Sequence, residues 1–258
     1  MATNIAFMVF VAASLAWLAV RALQDHRDAL NQRKGLLDMA ADLFSDAKIT
    51  FARDSFPVLL AHLPDGRPVK IELIADTLVF RRLPQLWLQV TLAETVVRER
   101  PSIGALARPT GAEFYSTVHE LPEWLHPPET GASLLMRGDG RASAAQLELV
   151  STLFKRLFSD PTVKEATITP RGVRLIRQAA QGDRGSHLIL RQTYFPLAAV
   201  SPELVQAAIS EAEALRGIFS DAESVREKVL QPSDVHSVSR PKLDKSTGLE
   251  RFAEPVRI

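Results

Sequence analysis

The chain has 258 residues, with 31 Lys and Arg against 30 Asp and Glu, and a formal net charge of +1. This balance argues against a nucleic-acid-binding protein, whose affinity comes largely from clustered cations, and no aromatic-rich RNA-binding signature is found. The chain contains no cysteine, which excludes a disulfide framework and thiolate metal sites.

The first twenty residues, Met1 to Val20, carry no charged side chain. A helix of roughly 20 apolar residues is long enough to cross about 30 Å of hydrocarbon. A cleaved signal peptide would have a basic region before the apolar run and a small-residue cleavage site after it, and neither is present. We therefore predict a single transmembrane anchor at 1–22. A cleaved signal peptide and a buried helix of a soluble domain are the alternatives.

The charges beside this segment predict its orientation. Arg21, Arg27, Arg33 and Lys34 all follow the apolar run, and no basic side chain precedes it. Because Lys and Arg next to a span are retained on the cytoplasmic side, the N-terminus is expected outside and the C-terminal domain in the cytoplasm.

Residues 23–46 are predicted to continue as an amphipathic juxtamembrane helix. Leu23, Leu30, Leu37 and Phe44 recur every seven residues, with charged residues between them. A coiled coil would need a second apolar position in each heptad, and most of those positions are charged here. The pattern therefore favours packing of the apolar stripe on the chain's own folded domain over a dimer seam.

After residue 46 the apolar periodicity changes from helical to extended. Residues 56–63 and 69–73 flank Asp65-Gly66, a strong hairpin signal because glycine accepts the positive φ of a tight turn. Residues 86–92 predict another strand, because every second residue is aliphatic and falls on one face: Leu86, Leu88, Val90 and Leu92.

The stretch from 94 to 141 is the least regular part of the chain. Its prolines remove backbone donors and fix φ, so surface loops are expected, with Ala112–Val118 as the one candidate strand.

The second half of the domain, from residue 142, repeats the local pattern of the first, in which a helix is followed by strands and a hairpin. Ser143 and Gln146 have the spacing of a capping box, which predicts a helix that ends before Pro161. Residues 163–169 and 173–178 are predicted to form a hairpin, and residues 187–195 a further strand. Ser201-Pro202 is typical of a helix start. That helix is expected to bury five side chains: Leu204, Ala208, Ala212, Leu215 and Phe219.

A short string recurs at the ends of the three predicted helices that follow the anchor. It is Leu-Phe-Ser-Asp at 43–46 and 157–160, and Ile-Phe-Ser-Asp at 218–221. Two interpretations stay open: chance recurrence, or an internal duplication that divides the α+β domain at 47–221 into halves 47–141 and 142–221. Residues 222–258 lose all periodicity and predict a disordered tail.

The motifs of common catalytic and cofactor sites are not found. Neither phosphate-binding glycine pattern is present, and no serine lies in a nucleophile elbow. His119 and His126 are separated by Pro122, which would interrupt a helical metal site. His62 and His187 fall on predicted strands, where each could meet a carboxylate in space, although a structural role is favoured. We predict no cofactor, no metal and no catalytic residue.

Basic side chains cluster in and after the second hairpin. Guanidinium groups bind phosphates and carboxylates in bidentate fashion, so this cluster is the candidate surface for an anion, a lipid headgroup or an acidic partner. Solvated strand faces are the competing explanation. The candidate residues are Arg171, Arg174, Arg177, Arg184 and Arg191.

Taken together, these patterns predict an α+β protein: one N-terminal transmembrane helix, then antiparallel hairpins packed with two or three helices. The predicted function is a non-catalytic, membrane-anchored interaction or assembly module, an accessory subunit whose partners are the lipid bilayer and a membrane protein, with no nucleic acid. The alternatives are a membrane-anchored hydrolase with a site assembled from distant residues, and a regulatory or sensor domain.

Overall fold

The computed structural model describes residues 2–77, 83–184 and 194–219. In these ranges the chain is an α+β protein with a nine-stranded antiparallel sheet and four α-helices. The predicted strand at 187–195, apart from its last two residues, and the predicted tail from 222 onward lie outside the described residues.

The helices are α1 (Ala2–Lys34), α2 (Asp38–Ala41), α3 (Ala144–Leu157) and α4 (Pro202–Gly217). The strands are β1 (Lys48–Phe51), β2 (Pro57–His62), β3 (Pro68–Asp76), β4 (Gln85–Ala93), β5 (Ile103–Ala107), β6 (Glu123–Leu125), β7 (Leu134–Gly138), β8 (Val163–Thr169) and β9 (Gly172–Gln181).

Helix α1 contains the apolar segment. Among the described residues, it is the one helix long and apolar enough to cross a membrane, through an 18-residue window at Phe7–Gln24 with a mean hydropathy of 1.7. None of that window is buried by the rest of the protein. Its apolar side chains are therefore available to another apolar phase.

The helix ends sooner than the sequence pattern predicts. α1 stops at Lys34, and the chain turns at Gly35 before the single turn of α2, so the helix predicted to reach residue 46 is interrupted. The reason is tertiary, because Leu36 and Leu37 are almost completely buried in the domain core. A straight helix would carry these side chains away from the sheet.

The strands form one sheet in the order β1-β2-β3-β4-β9-β8-β5-β7-β6. The hairpin predicted at Asp65-Gly66 is present as β2 and β3, with Gly66 at φ +83°. The hairpin predicted near residue 170 is present as β8 and β9. Because β4 pairs with β9 along its whole length, the two predicted halves share one continuous sheet.

The prediction for residues 94–141 is wrong in two respects. β5, β6 and β7 are strands in a region expected to be loops, and Ala112–Val118 is not a strand. β5 is buried at all five positions, so it has no polar–apolar alternation to indicate a strand. The Ala112–Val118 stretch instead lies within a segment that crosses one face of the sheet.

The two faces of the sheet are covered differently. Helices α3 and α4 pack on one face, the helical face, and enclose the main hydrophobic core. Both helices begin as predicted, α3 with a Ser143–Gln146 capping box and α4 with Ser201 as N-cap. The opposite face is covered near its centre by residues 108–121, here called the cover segment, through a small cluster that contains Trp87, Tyr115 and Ile176.

Candidate functional site

A cavity of about 310 Å³ lies on the face opposite the helices, beside the cover segment. The end of β3 supplies Asp76, the start of β4 supplies Trp87, and β9 supplies Gln178. The strand register brings these groups together, because Asp76 pairs with Gln85 and Trp87 pairs with Gln178. Because side chains alternate along a strand, four of them then point to the same face: Asp76, Gln85, Trp87 and Gln178. We call this space the Asp76 cavity.

The wall formed by the cover segment is held by a buried ion pair. Lys164 Nζ donates to Glu113 Oε1 at 2.9 Å, and both side chains are at most 4% exposed. Glu113 also accepts hydrogen bonds from the Thr110 backbone N–H and hydroxyl and from the Gly111 N–H, at 2.8–2.9 Å. Lys164 further donates to the carbonyls of Ala107 and Arg108. The two charges satisfy each other and fix the path of the segment.

The environment of Glu113 stabilises its charged form. Burial by itself raises the pKa of this carboxyl group, but the hydrogen bonds from Lys164 and Thr110 outweigh it and lower the pKa to about 2. Glu113 is therefore ionised throughout the physiological range.

Asp76 is satisfied much less completely than Glu113. Its Oδ2 receives one long hydrogen bond, 3.5 Å, from the Tyr115 hydroxyl. Burial first, and then the Asp76 carboxylate, raise the pKa of Tyr115 far above its ordinary value, so the phenol remains a neutral donor. Asp76 Oδ1 has no hydrogen-bond partner in the described chain, and no Lys or Arg among the described residues forms an ion pair with Asp76.

Trp87 also has an unsatisfied polar atom. Its side chain lines the cavity, and the centre of its ring lies 6.5 Å from the centre of the Tyr115 ring. Its Nε1 is buried and has no hydrogen-bond acceptor among the described residues. A buried indole N–H usually finds a partner. Two residues that line the cavity, Asp76 and Trp87, thus each have a buried polar atom without a described hydrogen-bond partner.

A second, more open cleft of about 610 Å³ lies between the β2–β3 hairpin and α4. In it His62 Nδ1 lies 2.5 Å from Asp46 Oδ2, and the His62 backbone N–H donates to Asp46 Oδ1. The hydrogen bonds from His62 lower the pKa of Asp46. His62 therefore does meet a carboxylate in space, although both side chains are about half exposed. We call this space the His62 cleft.

The structure distributes the predicted arginine surface over both faces of the sheet. Arg174 lies on the cavity face and binds Glu165 and the Thr117 hydroxyl. Arg177 lies on the helical face and binds Asp160 and Glu211 at 2.8–2.9 Å. Both guanidinium groups are therefore engaged in internal ion pairs.

The other three arginines of that prediction are not brought to the same place. Arg171 is exposed in the β8–β9 turn, and Arg184 is exposed just after β9. Arg191 lies outside the described residues. Among the described residues, then, Arg171 and Arg184 are the members of the cluster that face solvent.

The described residues contain no group of three or more His, Asp or Glu side chains arranged to hold a metal ion. Comparison with protein-family models, with curated proteins and with solved structures gives no significant match.

Sequence reasoning missed Asp76, Trp87 and Tyr115 because they belong to no motif and come from separate elements. One signal was available for the neighbouring wall. Lys164-Glu165 lies in a strand whose other residues are Val, Ala, Thr and Ile, and charged residues in such a strand are rarely buried unless they are paired.

Proposed function

We propose that this protein is a single-pass, membrane-anchored, non-catalytic interaction or assembly module whose domain faces the cytoplasm beside a membrane protein partner. The observation that carries this proposal is the unbroken α1 helix. It runs from an exposed apolar segment directly into contacts with the folded domain. A tether of this kind would limit both the distance and the orientation of the domain relative to the bilayer.

Specific contacts hold the end of α1 on the domain. Gln32 Nε2 donates to the Leu197 carbonyl at 3.2 Å, and the Arg33 guanidinium lies 5.1 Å from the centre of the Phe56 ring. Just after the helix, the Leu36 carbonyl accepts from the Val200 N–H at 2.8 Å. These contacts leave no flexible linker between helix and domain.

The length of α1 beyond the apolar window determines how far from the bilayer the domain would contact a partner. About ten residues separate the apolar window from Lys34, which corresponds to about 15 Å of helix. Arg21, Arg27, Arg33 and Lys34 lie in or beside this stretch and favour its cytoplasmic placement. The domain would sit close to the headgroups, at the height of the cytoplasmic loops of a neighbouring membrane protein.

The anchor is tested by charging its centre. The double substitution Leu15→Arg with Leu18→Arg should move the full chain from the membrane to the soluble fraction, because each Arg at a helix centre costs about 2.5–3.5 kcal/mol of insertion. Val96→Arg with Val97→Arg is the matched control, since both valines are exposed in the domain and should not affect fractionation. Release of the unmodified chain by alkaline carbonate would contradict anchoring. A C-terminal reporter active only outside the cytoplasm would contradict the orientation.

The assembly role makes a separate prediction. Chemical cross-linking in intact membranes should join the domain to one membrane protein at constant stoichiometry, and the adduct should disappear when a flexible Gly-Ser segment is inserted after Lys34. A chain that remains monomeric in the membrane and cross-links only to lipid would contradict this role.

A hydrolase is the second candidate, and the His62–Asp46 pair favours it. A histidine oriented by a carboxylate through Nδ1 can act as a general base through Nε2. If the full chain turns over ester or phosphate substrates and His62→Gln lowers that rate at least about 100-fold, the non-catalytic proposal is overturned. Under our proposal no such turnover is found, and His62→Gln leaves membrane cross-linking unchanged.

A further inference from the structure

We propose that the Asp76 cavity binds a small organic cation, an ammonium or guanidinium compound that also carries a hydrogen-bond acceptor. Asp76 would receive the cation, and Trp87 would donate to the acceptor. The site lies in the folded domain, so binding of this ligand does not depend on membrane anchoring.

Asp76 is buried with few hydrogen-bond donors around it. The residue is 8% exposed, and within the described residues one carboxylate oxygen has no hydrogen-bond partner and the other has a single long one. Burying a carboxylate without a cation or several donors is costly, so such groups are rare outside sites that receive a ligand. A ligand cation is the group that would offset this cost.

The other charged side chains that line the cavity have interaction partners of their own. The Arg108 guanidinium donates to the carbonyls of Pro161 and Val163, at 2.8 and 3.4 Å. Lys164 and Glu113 form a buried pair, and both also bond to the backbone of the cover segment, while Lys164 donates to the Ala107 carbonyl of β5 as well. Neither charge needs a ligand to satisfy it. Asp76 therefore provides the negative charge available to a ligand on that side of the cavity.

The shape and chemistry of the walls suit an organic cation. Trp87 is 6% exposed, its Nε1 has no hydrogen-bond acceptor among the described residues, and Tyr115 packs beside it. Aromatic rings beside a carboxylate favour organic cations over hydrated metal ions. The volume of about 310 Å³ fits a compound of the size of an amino acid. We therefore assign the ligand as a free small molecule.

Binding is tested on the full chain in detergent by calorimetry with a matched pair of probes. 4-Guanidinobutyrate carries both required groups, and 4-ureidobutyrate has nearly the same shape without the cationic charge. We expect 4-guanidinobutyrate to bind about tenfold or more tightly than its ureido counterpart, because charge-assisted hydrogen bonds are much stronger than neutral ones. Equal affinities of the two probes would overturn the proposal. It would also be overturned if neither probe binds at concentrations up to 10 mM, which corresponds to a binding free energy weaker than roughly −3 kcal/mol.

Two substitutions test the proposed roles of Asp76, which receives the cation, and Trp87, which donates to the acceptor. Asp76→Asn should weaken 4-guanidinobutyrate binding about tenfold and abolish the preference over the ureido probe. Asp42→Asn, at an exposed aspartate far along the chain, is the matched control and should bind like the original protein. Trp87→Phe should weaken 4-guanidinobutyrate binding but not that of n-butylguanidine, which lacks the acceptor. An Asp76→Asn variant that is folded and keeps the charge preference contradicts the assignment.

The source of the cation is decided by a third probe. The blocked tripeptide acetyl-Gly-Arg-Gly-amide presents the same guanidinium on a protein-like backbone. We expect it to bind at least about tenfold more weakly than 4-guanidinobutyrate, since the cavity must then admit a peptide chain. Comparable affinity would overturn the small-molecule assignment and identify an arginine side chain of a partner as the ligand.

Discussion

Glu113→Ala is expected to lower the free energy of unfolding by about 3–5 kcal/mol, because it leaves the Lys164 ammonium buried without its counter-charge. It also removes the acceptor that holds the backbone at Thr110 and Gly111. The cover segment should then detach from the sheet. Urea unfolding of the full chain in detergent measures the loss, and increased proteolysis within 108–121 would report the detachment.

The control for this prediction lies in the same segment. Glu120 is exposed, so Glu120→Ala should change the unfolding free energy by no more than about 0.5 kcal/mol. In a double-mutant cycle, Glu113→Ala with Lys164→Met should destabilise much less than the sum of the two single changes, because no unpaired charge is left behind. Additive losses would show that the two charges are not coupled.

The same pair predicts an acid dependence. The folded pKa of Glu113 is about 2, lowered from an ordinary value of 4.5, so its contribution to stability is fully present above about pH 4.5. That contribution is lost as the pH falls from about 4.5 to about 2, where the folded protein must also take up the proton. Glu113→Gln should lower the free energy of unfolding above this window and flatten its pH dependence within the window, because the variant has no carboxylate to titrate.

Gly172→Ala is expected to destabilise the protein by about 3 kcal/mol or more, because a side chain at this position overlaps the neighbouring strand. A Cβ on Gly172 would lie 2.3 Å from the Leu92 carbonyl oxygen and 3.1 Å from the Ala93 Cα. Both obstacles are backbone atoms, so no rotamer change relieves the contact. The β4–β9 pairing at the centre of the sheet would have to separate locally.

Thermal unfolding monitored by circular dichroism measures this effect. Gly131→Ala is the matched control, since no heavy atom of the described residues other than its own chain neighbours lies within 4 Å of the added Cβ. It should shift the unfolding free energy by no more than about 0.5 kcal/mol. A Gly172→Ala variant as stable as the original would mean that β4 and β9 do not approach each other as described.

Local sequence patterns predicted the elements that have strong local causes. The capping box before α3, the Ser201 cap of α4 and the Asp65-Gly66 turn each depend on residues within a few positions of one another. Local patterns failed to predict features that depend on contacts between residues far apart in the sequence. β5 is a buried central strand without alternation, and α1 ends where Leu36 and Leu37 are drawn into the core.

The candidate site was beyond local reasoning for the same reason. Asp76 and Trp87 are neighbours because of strand register, and Glu113 reaches Lys164 across 51 positions of sequence. A charged residue in the sequence does not reveal whether its side chain will be solvated, ion-paired or buried without a partner. Arg174 and Arg177 illustrate this, since the same hairpin sends them to opposite faces and to different acids.

The sequence by itself determined an apolar N-terminal helix, an α+β domain of antiparallel hairpins, and the starts of its later helices, because these follow from hydrophobic periodicity and capping within short windows. The tertiary structure alone decided the single nine-stranded sheet, the Glu113–Lys164 pair and the Asp76 cavity. These features depend on which strands pair and on which side chains each pairing buries. Such long-range contacts leave no local pattern in the sequence.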